Sequence, residues 1–290
     1  MITHINSNSL PLHKIIATMI LFPNAKINIG LNIIERRNDG YHNIETVMYP
    51  IGWSDILEIV PAQGSETTLT VTGRIVNCPP EKNLVMKAFR LFQEVTGIDN
   101  VDIYLHKIIP DGAGLGGGSA DAAFTLLGLN KLFNCNLNDE QLATMAAQIG
   151  ADCPFFIYNT PMLATGIGTE FKPIKVNLEG YSIAIVKPQP SVPTAQAYAG
   201  VTPAMPQHNL TSSLSLTVDQ WNGIIKNDFE KSVFPAYPQI AEIKRQLTDM
   251  GAVYTAMSGS GSAVFGIFKN NDNLAESIKS TFSDCDTFTS

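Results

Sequence analysis

The 290-residue sequence predicts an α+β protein of two lobes. Three observations predict it. Short runs with period-two alternation dominate the first third of the chain, and capped helical stretches follow a glycine-rich loop in the middle. The second half again mixes strands with helices, with no repeat and no low-complexity linker. The least defined boundary falls near residue 160, which divides the chain into 1–18, 19–160 and 161–290. Residues 1–18 read as a polar extension, and Met19, just ahead of the first clear strand, is an alternative start of translation.

The first strand spans Lys26 to Ile33, where "KINIGLNI" alternates polar and apolar residues. That pattern reads as half-buried, with Lys26, Asn28, Gly30 and Asn32 on one face. After the turn "RRNDGYHN", the runs "IETVMYPI", "DILEIV" and "TLTVTG" read as further strands. "NLVMKAFRLFQEVTG" is a helix that Gly97 closes, and "VDIYLHKII" is a strand that feeds the glycine loop. Beyond the loop come "SADAAFTLLGLNKLF", with Ser119 at its N-cap, and "NDEQLATMAAQIG", opened by Asn138 or Asp139 and ended by Gly150. The second half holds the strands "YSIAIVKP", "AVYTAM" and "SAVFGIF", with helices at roughly 219–227 and 236–250.

Composition narrows the function. A net charge of −7 and no basic stripe argue against a nucleic-acid partner. The single short apolar run near the start is too weak for a signal sequence and too short for a membrane span. Cys78, Cys135, Cys153 and Cys285 form no CxxC pair, which suits a reducing cytoplasm and indicates neither a zinc cage nor a disulfide framework. His4, His13, His106 and His208 suggest surface or packing positions.

The loop at 112–118 carries five glycines in seven residues, more than a structural turn needs. "GAGLGG" fits G-x-G-x-x-G between a strand and a helix, the dinucleotide-fold context. That fold requires an acidic residue ending a second strand about twenty residues on, whereas Asp139 opens a helix. No G-K-[ST] follows, so a Walker loop is excluded too. What remains is a loop whose backbone N–H groups, with a helix N-terminus, surround the phosphates of a nucleotide. Ser119 either caps that helix or faces a phosphate.

Three blocks, "PNAKINIGLNI", "PDGAGLGGGSADAA" and "AMSGSGSAVFGIF", resemble in order and spacing the motifs of the GHMP small-molecule kinases. "RRNDGYHNIETV", "GADCPFFI" and "PSVPTAQAY" extend the resemblance, which covers roughly 21–268, toward members that phosphorylate a cytidine-diphosphate-linked methylerythritol. The resemblance implies an N-terminal ribosomal-protein-S5-domain-2-like lobe and a C-terminal GHMP lobe. It implies transfer of the ATP γ-phosphate, with Mg²⁺, to the substrate's 2-hydroxyl in the non-mevalonate isoprenoid route, by a cytoplasmic monomer or homodimer. It assigns Lys26 and Asp152 to catalysis. Pro110, Gly112, Gly114, Leu115, Gly116, Gly117, Gly118 and Ser119 would hold ATP. Asn28, Tyr41, His42, Thr194, Tyr198, Gly259, Ser260 and Gly261 would hold the substrate, with Tyr41 and Tyr198 sandwiching the cytosine.

Local readings stand beside these roles. Asp152 would N-cap a short turn at "CPFFIY", and Gly259 to Gly261 would form a hairpin turn. Asp121 stands where a neutral Asn or Ser is expected, and must face away from a bound phosphate. The rival functions are another GHMP kinase, acting on mevalonate, homoserine or a sugar, and an inactive nucleotide-binding regulator. The "GYH" and "PSVPT" blocks argue against the first, and the presence of both Lys26 and Asp152 against the second.

Overall fold

The structure, a computed structural model, describes residues 18–76 and 78–290, so the polar extension before Thr18, with His4 and His13, lies outside the described residues. The chain opens with β1 (Met19–Leu21), β2 (Asn24–Arg36), β3 (His42–Ser54), β4 (Ile56–Pro61) and β5 (Thr68–Gly73). Helix α1 (Leu84–Thr96) is capped by the Asn83 side chain and closed by Gly97 at φ 70°, a left-handed turn that glycine adopts without strain. Then follow β6 (Val101–Lys107), α2 (Gly117–Leu132), α3 (Asp139–Ile149), α4 (Cys153–Tyr158), β7 (Met162–Thr165) and β8 (Glu170–Pro173). Of the two caps the sequence offers for α3, Asn138 is the one used, and it forms a capping box with Gln141.

The remainder comprises β9 (Tyr181–Lys187), α5 (Thr194–Ala199), α6 (Leu210–Ser213), α7 (Glu230–Ala236), α8 (Pro238–Asp249), β10 (Tyr254–Met257), β11 (Val264–Lys269), α9 (Leu274–Thr281) and β12 (Asp286–Thr289). The helix expected at 219–227 is absent. Only Val218–Gln220 forms a helical turn. Gly223 then sits at φ 78°, a left-handed turn, and the Asn227 side-chain amide donates to the Met257 and Gly259 carbonyls at 2.7 and 2.8 Å, which ties this segment to the β10–β11 turn.

The strands make three four-stranded sheets in the orders β1-β4-β6-β5, β2-β3-β7-β8 and β10-β11-β9-β12. All neighbours are antiparallel except β5 and β6. The first sheet packs against α1 to α4 through Leu57, Ile59, Ile103, Phe89, Phe92 and Phe155. In a second core, Ile27, Ile29 and Val47 of the β2 sheet meet Ile183, Ile185 and Phe265 of the third sheet. The far side of that third sheet is covered by α7 to α9 through Val186, Val233, Ile240, Leu247 and Ile278.

These cores position the chemistry. Ile27 and Ile29 are fully buried, each worth about 1.5–3 kcal/mol, and they fix the strand that carries Lys26 and Asn28 between them. The alternation predicts a half-buried strand, yet β2 is buried on both faces from Asn24 to Leu31. The reason is tertiary: the glycine loop and the β10–β11 turn lie over its polar face, so polarity here marks a lined cleft instead of bulk solvent. Beyond Ile29 the strict alternation also breaks, because Gly30 at φ 75° creates a register shift.

Candidate active site

Lys26 is buried on β2, and its ammonium donates to Asn28 Oδ1 at 2.5 Å and faces Asp152 Oδ2 at 3.7 Å. The Asn28 amide in turn donates to Thr46 Oγ1 at 3.0 Å, which fixes which end of the side chain meets the lysine. Burial lowers the Lys26 pKa below the ordinary lysine value, and the Asp152 charge opposes that shift. Asp152 occupies the N-cap position of α4 but makes no capping bond. Its side chain, 35% exposed, turns instead to Lys26 and the open cleft. The simple capping role therefore fails, and the carboxylate is available for chemistry.

The glycine loop runs from the end of β6 into α2. Helix α2 begins at Gly117 with Gly116 as its N-cap, so Ser119 sits in the first turn and is not the cap expected from the sequence. Its hydroxyl lies against the Cys153 thiol, whose pKa burial pushes up to about 11. Gly112, Gly114 and Gly116 all have positive φ. A Cβ at Gly112 would come within 2.8 Å of Ser191 Oγ, and one at Gly116 within 2.8 Å of Phe156 Cζ. These glycines serve the protein's own packing as well as any ligand, a demand the sequence does not reveal. Gly118 differs, with its nearest neighbour to such a Cβ, Leu84 Cδ1, at 3.8 Å. The loop is tied to β2, since Lys26 N–H donates to the Leu115 carbonyl at 2.9 Å. Leu115 itself is buried in the core, as is Pro110.

One cleft of about 330 Å³ gathers Lys26, Asn28, Gly112, Gly114, Gly116, Asp152, Thr194, Tyr198, Gly259, Ser260 and Gly261. Gly259 to Gly261 do form the β10–β11 turn, and that turn also lines the cleft. A second cavity of about 680 Å³ shares Ile167, Thr194 and Tyr198 with the first and continues to Arg36, Tyr41 and His42. Tyr198, expected with Tyr41 on either face of a cytosine, has His42 as its stacking partner. Its ring stacks on His42 with centroids 4.7 Å apart and an 18° tilt, while Tyr41 is 62% exposed at the rim. At 4.7 Å no base fits between the two rings.

Sequence reasoning missed several supports. Ser258 accepts from the Asn28 N–H at 3.3 Å and donates to the Gly114 carbonyl at 2.8 Å, joining strand, loop and turn. Thr46 and Asn227 play similar roles. Each is buried, but Ser and Thr in a strand, or an Asn in a loop, carry no periodic signal. Asp121 turns toward Lys107, whose ammonium it meets at 2.7 Å. Gly118, Lys107 and Asp121 border a separate small cavity of about 160 Å³. Among the described residues no group of three His, Cys, Asp or Glu side chains could hold a metal ion, and no helix is long and apolar enough to cross a membrane.

A strand-borne lysine, a glycine loop opening a helix and a carboxylate across the cleft are the parts of a small-molecule kinase, and the sequence matches the GHMP kinases N terminal domain over residues 83–160 and the GHMP kinases C terminal domain over 212–284. The chain belongs to the GHMP kinase family. It is 51% identical over 260 residues to the 4-diphosphocytidyl-2-C-methyl-D-erythritol kinase of Bacteroides fragilis, covering 89% of this chain and 95% of that one. The enzyme of the same name from Parabacteroides distasonis is 50% identical, with 92% and 97% covered. Among solved structures, a 4-(cytidine 5'-diphospho)-2C-methyl-D-erythritol kinase superimposes with a TM-score of 0.78 at 30% identity, over 93% of this chain and 98% of that one. A homoserine kinase from Cytophaga hutchinsonii, 19% identical with a TM-score of 0.66 over 97% of both chains, shares the fold.

Proposed function

We propose that the chain transfers the γ-phosphate of ATP to the 2-hydroxyl of 4-diphosphocytidyl-2-C-methyl-D-erythritol, yielding the 2-phosphate and ADP. The carrying observation is the Lys26–Asp152 pair, which opens into a cleft lined by the glycine loop on one side and joined to the His42–Tyr198 cavity on the other. Relatives at 51% and 50% identity bear the name of this kinase.

Phosphoryl transfer through a loose transition state asks for positioning and charge stabilisation more than covalent help. Asp152 accepts the proton of the attacking hydroxyl. Lys26, with its ammonium oriented by Asn28, keeps Asp152 ionised and offsets negative charge gathering on the transferred group. The loop amides and the α2 N-terminus hold the nucleotide phosphates. The cytidine end lies in the larger cavity, stacked on the aromatic surface of Tyr41, His42 and Tyr198, with Thr194 at the junction. Mg²⁺ takes most of its ligands from nucleotide phosphates and water and few from protein. When bound with the nucleotide, the ion would neutralise phosphate charge, which leaves Asp152 to accept the hydroxyl proton.

The test is ADP release with CDP-methylerythritol, mevalonate, homoserine and galactose as acceptors, run with and without millimolar CDP. Turnover of the cytidylyl substrate alone, inhibited by CDP at sub-saturating substrate, is expected. Turnover of another acceptor instead would reassign the substrate. Removing the Tyr198 ring should raise KM for the cytidylyl substrate by about one to two orders of magnitude, since stacking on a base is worth about 1–3 kcal/mol, and leave the KM for ATP unchanged.

A further inference from the structure

Beneath the glycine loop lies a cluster of ionisable side chains that the chemistry above does not use. Lys107 ends β6 and is buried, and its ammonium pairs with both Asp55 and Asp121. Asp55, fully buried at the β3–β4 corner, accepts the Ile108 and Ile109 backbone N–H groups through its other oxygen, the latter at 2.8 Å. Those are the last two residues before the loop begins at Pro110. Asp121 stands in α2, just past the point where the loop ends, and is 3% exposed. A Cβ on Gly117, the first residue of that helix, would lie 3.4 Å from the Lys107 nitrogen. One lysine thus links the two ends of the loop.

The arrangement is unbalanced. Two carboxylates share one ammonium, and Asp121 Oδ1 is buried with no hydrogen-bond partner. An ionised oxygen in that state carries the desolvation penalty of an unpaired charge. The groups facing Asp121 are Lys107 from β6 and Asp55 from the β3–β4 corner. Across the 160 Å³ cavity stand Lys82, Asp111 and Cys78. Burial raises the Asp121 pKa, to about 8, with Lys107 lowering it and Asp55 raising it further. For Lys107, burial acts downward, but Asp121 and Asp55 outweigh it and hold the ammonium above the ordinary lysine value.

We propose that Asp55, Lys107 and Asp121 form a buckle that sets the spacing of the loop's two ends, and that the loop takes up ATP with Asp121 in its protonated, neutral form. This rests on the assignment of the glycine loop to nucleotide phosphates. With Asp121 neutral, the cluster carries no net charge under a triphosphate. With Asp121 ionised, it places an excess negative charge there, poorly screened because all three side chains are buried. Asp121 is a positioning residue, since it touches the loop only through Lys107.

The experiment is calorimetric titration of MgATP into the intact protein between pH 6.5 and 9.5, in HEPES and in Tris, for wild type and Asp121→Asn. For wild type, Kd should rise by up to about tenfold per pH unit above about 8, and the binding enthalpy should differ between the two buffers because a proton is taken up. Asp121→Asn should bind ATP with that slope and that proton uptake removed. Lys26 titrates in both proteins and cancels from the comparison. A second readout needs no ligand. The raised carboxylate holds in the folded state a proton that the unfolded chain has released, so its contribution to stability falls as pH rises from about 4 to about 8; the Asn variant should lose that decline. Equal slopes in the two proteins, or wild-type enthalpies that match in both buffers, would overturn the buckle alone. Failure of wild type to bind ATP at every pH would overturn the nucleotide assignment with it.

Discussion

Two lysines of this chain, Lys26 and Lys107, are each 3% exposed and each face aspartate, yet the two sites behave oppositely. Lys26 meets one carboxylate at 3.7 Å, and that carboxylate is one-third exposed. Lys107 meets two, both buried. Burial therefore wins at Lys26, whose pKa falls, and the carboxylates win at Lys107, whose pKa rises. Burial of a lysine says little about its role. The exposure of its partner says more: a loose pair with one open carboxylate can exchange protons with a substrate, whereas a closed cluster holds backbone in place.

The sharpest way to break this contrast is Asp152→Asn. Turnover should fall by about 10²–10⁴-fold, the usual range for a lost general base, with ATP binding and folding intact, because the side chain makes no capping bond. Near-normal kcat would place Asp152 with the structural carboxylates. In the same assay the alkaline limb of kcat should begin below the ordinary lysine range, because burial lowers the Lys26 ammonium that turnover requires.

Lys107→Met should act on the other quantity. It leaves the buried Asp55 carboxylate without its cation, so denaturant unfolding at pH 7 should report a loss of about 3–5 kcal/mol. If stability survives and only ATP affinity suffers, Lys107 belongs to the open class of site.

The smallest effect expected is that of Gly118→Ala. Its Cβ meets nothing closer than 3.8 Å, and alanine in a helix gains about 0.5–1 kcal/mol over glycine, so Tm should hold or rise slightly. A higher KM for ATP in that variant would report the nucleotide directly, undisturbed by internal clashes. The same substitution at Gly116 would not, because Phe156 stands 2.8 Å away.

The candidate cleft was legible from the sequence where residues of one motif stay close along the chain. Lys26 and Asn28 share a face of β2, and the loop precedes a helix, as their spacing requires. Less legible were contacts that arise only from tertiary packing. Nothing near Tyr198 signals that His42 is its stacking partner, 4.7 Å away. Asp121 reads as an oddity of the loop until Lys107 and Asp55 are seen beside it. Likewise β7 and β8 are short and weakly alternating: β8 is a strand only through β7, and β7 only through its pairing with β3.

That last pairing bears on how the chain is made. Strand β3 is complete at Ser54, but its partner β7 begins at Met162, so its free edge waits for a long stretch of chain to be synthesised. At 5–20 residues per second the wait is on the order of 10 s. Throughout it Thr46, Val47 and Met48 present unpaired backbone groups that another nascent chain could capture. A ribosome stalled before Met162 would hold β3 with an exposed edge, an interval in which chaperone cover would guard against capture by another chain.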